Sequence, residues 1–141
     1  MGKIRIGNRY VGKDCPALVV AEVGVNHEGK ANEAKKLIDQ CYALGIGAIK
    51  FQTYKAKKLA TPYAMKYWHL SSSDRPTDRQ IDTFKKLDGL PKSSYKDLVK
   101  YGEELGIIVF STAFDEESVD LLYEAGVPAF KVASGDITYH R

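Results

Sequence analysis

The chain has 141 residues, 44% of them hydrophobic, enough for one globular domain that buries roughly two thirds of its unfolded surface and too few for two. Charged residues make up 28%, and 21 Lys plus Arg against 18 Asp plus Glu leave +3, which argues against disorder and a nucleic-acid partner but permits small anionic ligands. No apolar run reaches the roughly 18 residues of a membrane helix, and Met1-Gly2-Lys3-Ile4-Arg5 lacks a signal peptide's apolar stretch, so a soluble, cytoplasmic protein without a membrane partner is expected.

From the N-terminus, Ile4-Arg5-Ile6-Gly7-Asn8-Arg9-Tyr10-Val11 predicts a hairpin turned at Gly7-Asn8, a cap occupying residues 1–16 ahead of the first core strand. Leu18-Val19-Val20-Ala21-Glu22-Val23 then predicts a strand closed by Gly24. Ala34, Leu37, Ile38, Cys41 and Leu44 recur at the spacing of one buried helical face, which predicts a helix over 31–44 with Gly45 as its left-handed terminator. The same ending recurs at Gly106 and Gly126, and each of the three is followed by an apolar run of strand length. Strands are therefore expected at 48–52, 107–111 and 129–133, and further helices at 92–105 and 116–125. Alternating strands and helices of this size imply βαβ units and a parallel sheet. Residues 55–89 form a long insertion after the second strand, with Tyr63, Tyr67, Trp68 and His69, then a polar stretch over 71–78, expected to be irregular in part. Cys15 and Cys41 form no CxxC pair and are expected to be buried free thiols.

Four strands are half of an eight-stranded barrel. Length favours an open doubly wound sheet, whereas the polar content of the strands argues for a barrel. Covered parallel strands are usually near-continuous Val, Ile and Leu, yet Glu22, Lys50, Gln52 and Lys131 interrupt these. By alternation, Lys50 and Gln52 share one face of the second strand while Ile49 and Phe51 face helices. In a barrel, Lys50 and Lys131 would point into one layer, on an inward face that also carries Val20 and Val109. Two ammonium groups sharing a cavity need Glu22, Asp136 or an anionic ligand as compensation, and they suit a ligand with phosphate and carboxylate groups. The ordinary structural alternative is a pair of snorkelling or edge-protecting lysines.

Ser111-Thr112 could cap the following helix or offer a hydroxyl to a phosphate, the first being the commoner role. Ala133-Ser134-Gly135-Asp136 adds a hydroxyl and a carboxylate after the fourth strand, or is a simple Gly turn. Asn26-His27 is more often a loop brace than a catalytic dyad. His27, His69 and His140 lack a metal-ligand spacing, and Lys55-Ala56-Lys57-Lys58 is most simply a solvated face.

Together, Ala21-Glu22-Val23-Gly24-Val25-Asn26-His27-Glu28-Gly29, Ile49-Lys50-Phe51-Gln52-Thr53, Ser111-Thr112-Ala113-Phe114-Asp115 and Phe130-Lys131-Val132-Ala133-Ser134-Gly135-Asp136 resemble the sialic acid (N-acetylneuraminate) synthase family. The likeness covers residues 4–138 and corresponds to the first half of that family's catalytic barrel. It implies an α/β fold of TIM-barrel type, here its first four βα units preceded by a hairpin. It implies a carbon–carbon bond-forming transferase that condenses phosphoenolpyruvate with an N-acylated amino sugar, N-acetylmannosamine or a diacetamido-trideoxyhexose, to a nonulosonic acid and phosphate. Such products belong to lipopolysaccharide or capsule biosynthesis. Lys50, Lys131, Thr112 and Ser134 would hold phosphoenolpyruvate, Glu22 and Asp136 would face the sugar, and Gln52 would bind substrate. A divalent metal, manganese or magnesium, would be held by histidines of the other half, so the fragment alone is expected to be inactive. Three departures stand out: Ala113 replaces the family's usual Pro, Lys30 replaces the Asp common at the first helix start, and Asp136 stands where some relatives carry Glu. Two alternatives remain open, a non-catalytic anion-binding half barrel and a synthase that takes an aldose phosphate. Unpaired strand edges predict a homo-oligomer, a dimer.

Overall fold

The computed structural model describes residues 2–68, 75, 77–87 and 90–139. A hairpin of β1 (Ile4–Ile6) and β2 (Arg9–Val11) precedes a parallel sheet of β3 (Val20–Gly24), β4 (Ala48–Thr53), β5 (Ile108–Ala113) and β6 (Phe130–Val132), in that order across the sheet. The main helices are α1 (Ala31–Ala43), α4 (Lys92–Leu105) and α5 (Glu116–Ala125), with α2 (Ala56–Leu59) and α3 (Gln80–Leu87) between β4 and α4. This is the expected α/β order with a parallel sheet, and β3 and β6 are its edges.

One face of the sheet holds the core. Val23, Ile49, Phe51 and Val109 pack with Ala34, Ile38 and Cys41 of α1, Tyr95, Leu98 and Val99 of α4, and Leu122 and Ala125 of α5. Phe51, Ile49, Ile38 and Leu122 are fully enclosed. The assignment of Val109 to the inward, lysine-bearing face is thereby overturned. Lys50 is level with Phe110, so Phe110 shares the lysine face and Val109 turns to the helices. Close approach of α4 to β5 requires Gly102, where a Cβ would lie 2.3 Å from Val109 Cγ2 and 2.9 Å from the Ile107 carbonyl oxygen.

The hairpin turns at Gly7-Asn8, with Ile6 opposite Arg9 and Gly7 at φ +56°. Asn8 Nδ2 donates to the Gly106 carbonyl at 3.1 Å, and Gly7 lies against Ile108, so the hairpin covers the N-terminal end of β5. That is the end of the sheet opposite the polar strand exits.

Several boundaries differ from expectation for local reasons. The first strand begins at Val20, and Val19 is exposed. Helix α1 stops at Ala43, leaving Leu44 as an exposed C-cap outside the buried stripe, with Gly45 at φ +69° behind it. Lys30 occupies the N-cap of α1 and supplies no side-chain hydrogen bond, as its departure from Asp implies. Cys41 is buried and its thiol is pushed up by burial, whereas Cys15 is half-buried, which corrects the expectation of two buried thiols. Neither Ser111 nor Thr112 caps α5. Asp115 does so, accepting from the Ser118 amide at 2.9 Å.

The insertion is partly regular. Ala56, Ala60 and Ile81 form a small separate cluster with Phe84, and Met65 bridges Arg79 in an antiparallel contact. Tyr63 and Tyr67 are exposed, while Trp68 leans on Phe84 with centroids 5.8 Å apart. His69, residues 71–74, Pro76 and His140 lie outside the described residues. Lys55-Ala56-Lys57-Lys58 is not simply a solvated face. Lys55 and Lys58 both pair with Glu117, and the Lys55 amide donates to Asp115 at 2.8 Å, so this segment is tied to the start of α5. These partners hold the Glu117 carboxyl down at about 2. Among the described residues no helix is long and apolar enough to cross a membrane.

Candidate functional site

Parallel register decides which polar strand residues meet. Glu22 is level with Lys50, and Lys50 with Phe110; one step further along, Gln52 is level with Thr112, and Thr112 with Lys131. Since laterally paired residues point to the same side, Glu22, Lys50, Gln52, Thr112 and Lys131 form two adjacent rows on the face the helices leave uncovered.

Lys50 is the centre of this patch. It is only 9% exposed, and its ammonium donates to Glu22 Oε2 at 2.6 Å and to Thr112 Oγ1 at 2.9 Å. Glu22 is exposed at the edge strand, so the pair has one buried and one wet end. The expected compensation of Lys50 by Glu22 is thus present in the fold. An ammonium carries three donors. Glu22 and Thr112 take two of them.

Lys131 lies on the same face as Lys50 but two residues further along, and its ammonium donates to the Val132 carbonyl. The structure therefore places both lysines on one surface without bringing their ammonium groups together. Ser134 and Asp136 sit in an exposed single turn of 3₁₀ helix after β6, closed by the Asp136 amide on the Ala133 carbonyl at 3.0 Å. Gln52 is half-buried, its carboxamide carbon 3.5 Å from where a Cβ on Gly24 would stand; Gly24 has φ +52°.

Two groups behind the patch were not singled out as site residues by sequence reasoning. Thr53 and Ser111, on the helix side, share a 2.7 Å hydroxyl contact between β4 and β5. His27 is fully buried against Phe51 and accepts from the Gly29 amide at 3.0 Å through Nδ1, the loop brace expected for it. Burial holds its pKa below the usual imidazole value, so the ring is neutral at pH 7. The only sequence signal for it was its place in the loop between the apolar run over 18–23 and the helix expected over 31–44. Among the described residues, no three His, Cys, Asp or Glu side chains converge as a metal centre requires.

The family model for NeuB matches residues 37–141, three quarters of the chain. The chain belongs to the NeuB family. Over 121 residues this NeuB-family chain is 40% identical to the N,N'-diacetyllegionaminic acid synthase of Campylobacter jejuni subsp. jejuni, covering 86% of the chain and 36% of that enzyme. It is 32% identical over 135 residues to the human N-acetylneuraminate-9-phosphate synthase, covering 91% of the chain and 35% of that enzyme. Its fold is similar to the crystal structure of an N-acetylneuraminic acid synthetase from Leptospira borgpetersenii serovar Hardjo-bovis, with a TM-score of 0.78 and 28% identity, over 96% of the chain and 42% of that protein. The chain spans a little over a third of the length of the curated relatives it matches.

Proposed function

We propose that this chain is the first half of a TIM-barrel synthase, cytoplasmic, which condenses phosphoenolpyruvate with an N-acylated amino sugar to a nonulosonic acid and phosphate. Support for the barrel comes from a four-stranded parallel sheet with helices on one face, a polar face opposite, and two unpaired edges where further strands or a second copy of the chain would dock. The observation that carries the function is the buried Lys50 ammonium, held by Glu22 and Thr112 with one donor remaining. A phosphate or carboxylate suits that donor, and Lys131 two strands away supplies a second cation for a ligand bearing both groups. Ser134 and Asp136 would complete the far side of the substrate from the 3₁₀ turn.

In the proposed reaction, carbon 3 of phosphoenolpyruvate bonds to the sugar aldehyde carbon, and the aldehyde oxygen gains a proton. Water then adds to the electron-poor carbon 2, and the tetrahedral intermediate breaks its bond to the phosphate oxygen, releasing inorganic phosphate. Lys50 and Lys131 orient the phosphate and carboxylate throughout. Glu22, exposed beside Lys50, is placed to carry a proton in the sugar or water step. The divalent metal implied by the family resemblance, manganese or magnesium, finds no converging ligands among the described residues and would be held elsewhere in the protein; no step here runs through it. The higher identity to a diacetyllegionaminic acid synthase than to the human N-acetylneuraminate-9-phosphate synthase favours a diacetamido-trideoxyhexose over a sugar phosphate as acceptor.

The test is Lys131→Ala in the whole protein. Loss of one charge-assisted contact, about 1.5 to 3 kcal/mol, should lower kcat/KM for phosphoenolpyruvate roughly 10- to 150-fold and leave sugar KM nearly unchanged. Equal losses toward both substrates would refute the assignment, as would failure of phosphate release with any N-acylated amino sugar.

A further inference from the structure

Among the described residues, His27 Nε2 is the buried side-chain nitrogen without a hydrogen-bond partner. Its protonation follows from the other ring nitrogen. Because Nδ1 accepts from the Gly29 amide, the proton of the neutral ring sits on Nε2, which is therefore a donor. Rotating the ring would not relieve the problem, since it would surrender the Gly29 contact and the packing on Phe51. Leaving such a donor unpaired carries a penalty of about 1 to 3 kcal/mol, so native structures rarely do.

His27 lines a cavity of about 10 Å³, the size of one water molecule, whose other polar lining residues are Gln52, Tyr54 and Tyr95. A water held there would have the several polar partners that buried waters require, in a wall that is otherwise apolar. We propose that this cavity binds a single ordered water which bridges His27 Nε2 to the Gln52 carboxamide, making His27 a positioning residue for Gln52.

One arrangement of the hydrogen bonds sets the orientation of the carboxamide. His27 donates to the water oxygen, and the water donates to Gln52 Oε1. That leaves the carboxamide N–H group of Gln52 to face the polar rows beside Thr112. Gln52 consequently meets its ligand as a donor and selects a hydroxyl or carbonyl oxygen there. A glutamine without this tether would present either end of its carboxamide, since the two differ little in shape. This inference rests on Gln52 binding substrate, as the family resemblance implies.

A crystal structure of the whole protein at a resolution that shows ordered water decides the site itself. A water within 2.7–3.2 Å of both His27 Nε2 and the Gln52 carboxamide is expected; a dry cavity, or a water without the Gln52 contact, overturns the proposal. Kinetics of two variants test the positioning. His27→Asn keeps an acceptor near the Gly29 amide but loses the distal donor, and should raise about tenfold the KM of whichever substrate Gln52→Ala also affects, with the other substrate's KM unchanged. His27→Gln keeps a distal donor and should restore that KM to within about threefold of wild type. Equal behaviour of the two variants would overturn the positioning role. The functional reading fails separately: if Gln52→Ala leaves both KM values unaltered, Gln52 does not bind substrate, and the crystallographic water still stands or falls on its own density.

Discussion

Removing Glu22 strands a buried ammonium. In Glu22→Ala, Lys50 loses the 2.6 Å partner while keeping Thr112, and its side chain is 11% exposed. Breaking a fully buried pair costs about 3 to 5 kcal/mol, and an exposed one at most about 1 kcal/mol. Glu22 is 58% exposed, so water screens one end of the pair and replaces part of what is lost. The expected destabilisation is about 1 to 2 kcal/mol. Lys50→Met behaves differently, because it removes the charge that demanded compensation and fills a similar volume. Its stability should stay within about 1 kcal/mol of wild type, whereas the proposed use of phosphoenolpyruvate should be lost. The double variant should therefore be more stable than the sum of the single changes predicts, by about 1 kcal/mol. Urea unfolding of the four proteins measures this cycle directly. Unaltered stability in Glu22→Ala, or a loss above about 3 kcal/mol in Lys50→Met, would refute the argument that Glu22 compensates a buried charge held for ligand binding.

Three further outcomes follow from local geometry. Lys30 sits at the N-cap of α1 with extended backbone (φ −108°, ψ 119°) and no capping hydrogen bond, so Lys30→Asp should stabilise by about 1 kcal/mol in the same unfolding assay, less any repulsion from Glu28 and Glu33. Gly102→Ala would gain about 1 kcal/mol of helix propensity but drives a Cβ into Val109 and the Ile107 carbonyl, and thermal unfolding should show a net loss of about 1 to 3 kcal/mol. His27 is held neutral by burial, so its folded pKa lies below the unfolded 6.5; the unfolded chain binds the extra proton, and stability should fall as pH drops below about 6.5, by at most about 1.4 kcal/mol per unit for this group. The slope between pH 6.5 and 5 should diminish in His27→Gln, and an unchanged slope would show that another group sets it.

Much of this architecture is local, and local patterns survive in sequence. Gly45, Gly106 and Gly126 each adopt positive φ behind a helix, which is why one repeated ending located three helix-to-strand junctions. Alternation along Ile49-Lys50-Phe51-Gln52 separated the helix-packed side from the polar side because strand geometry leaves no other choice. Where a position depends on its partner strand, sequence alone was insufficient. Val109 and Phe110 are both large and apolar, so only the register with β4 shows which faces the helices and which lies beside Lys50. Capping of α5 by Asp115 instead of Ser111 or Thr112 depended on β5 running on to Ala113, and the insertion's lysines acquired partners only when α2 folded against Glu117. The same holds for the site. Glu22, Lys50 and Thr112 come from three separate strands, and a hydrogen-bonded triad across them exists only through lateral pairing. His27 shows the limit most clearly: its residue type suggested a loop brace, but its burial and an Nε2 with no protein partner among the described residues arise from chain segments far apart in sequence, and tertiary packing alone creates them.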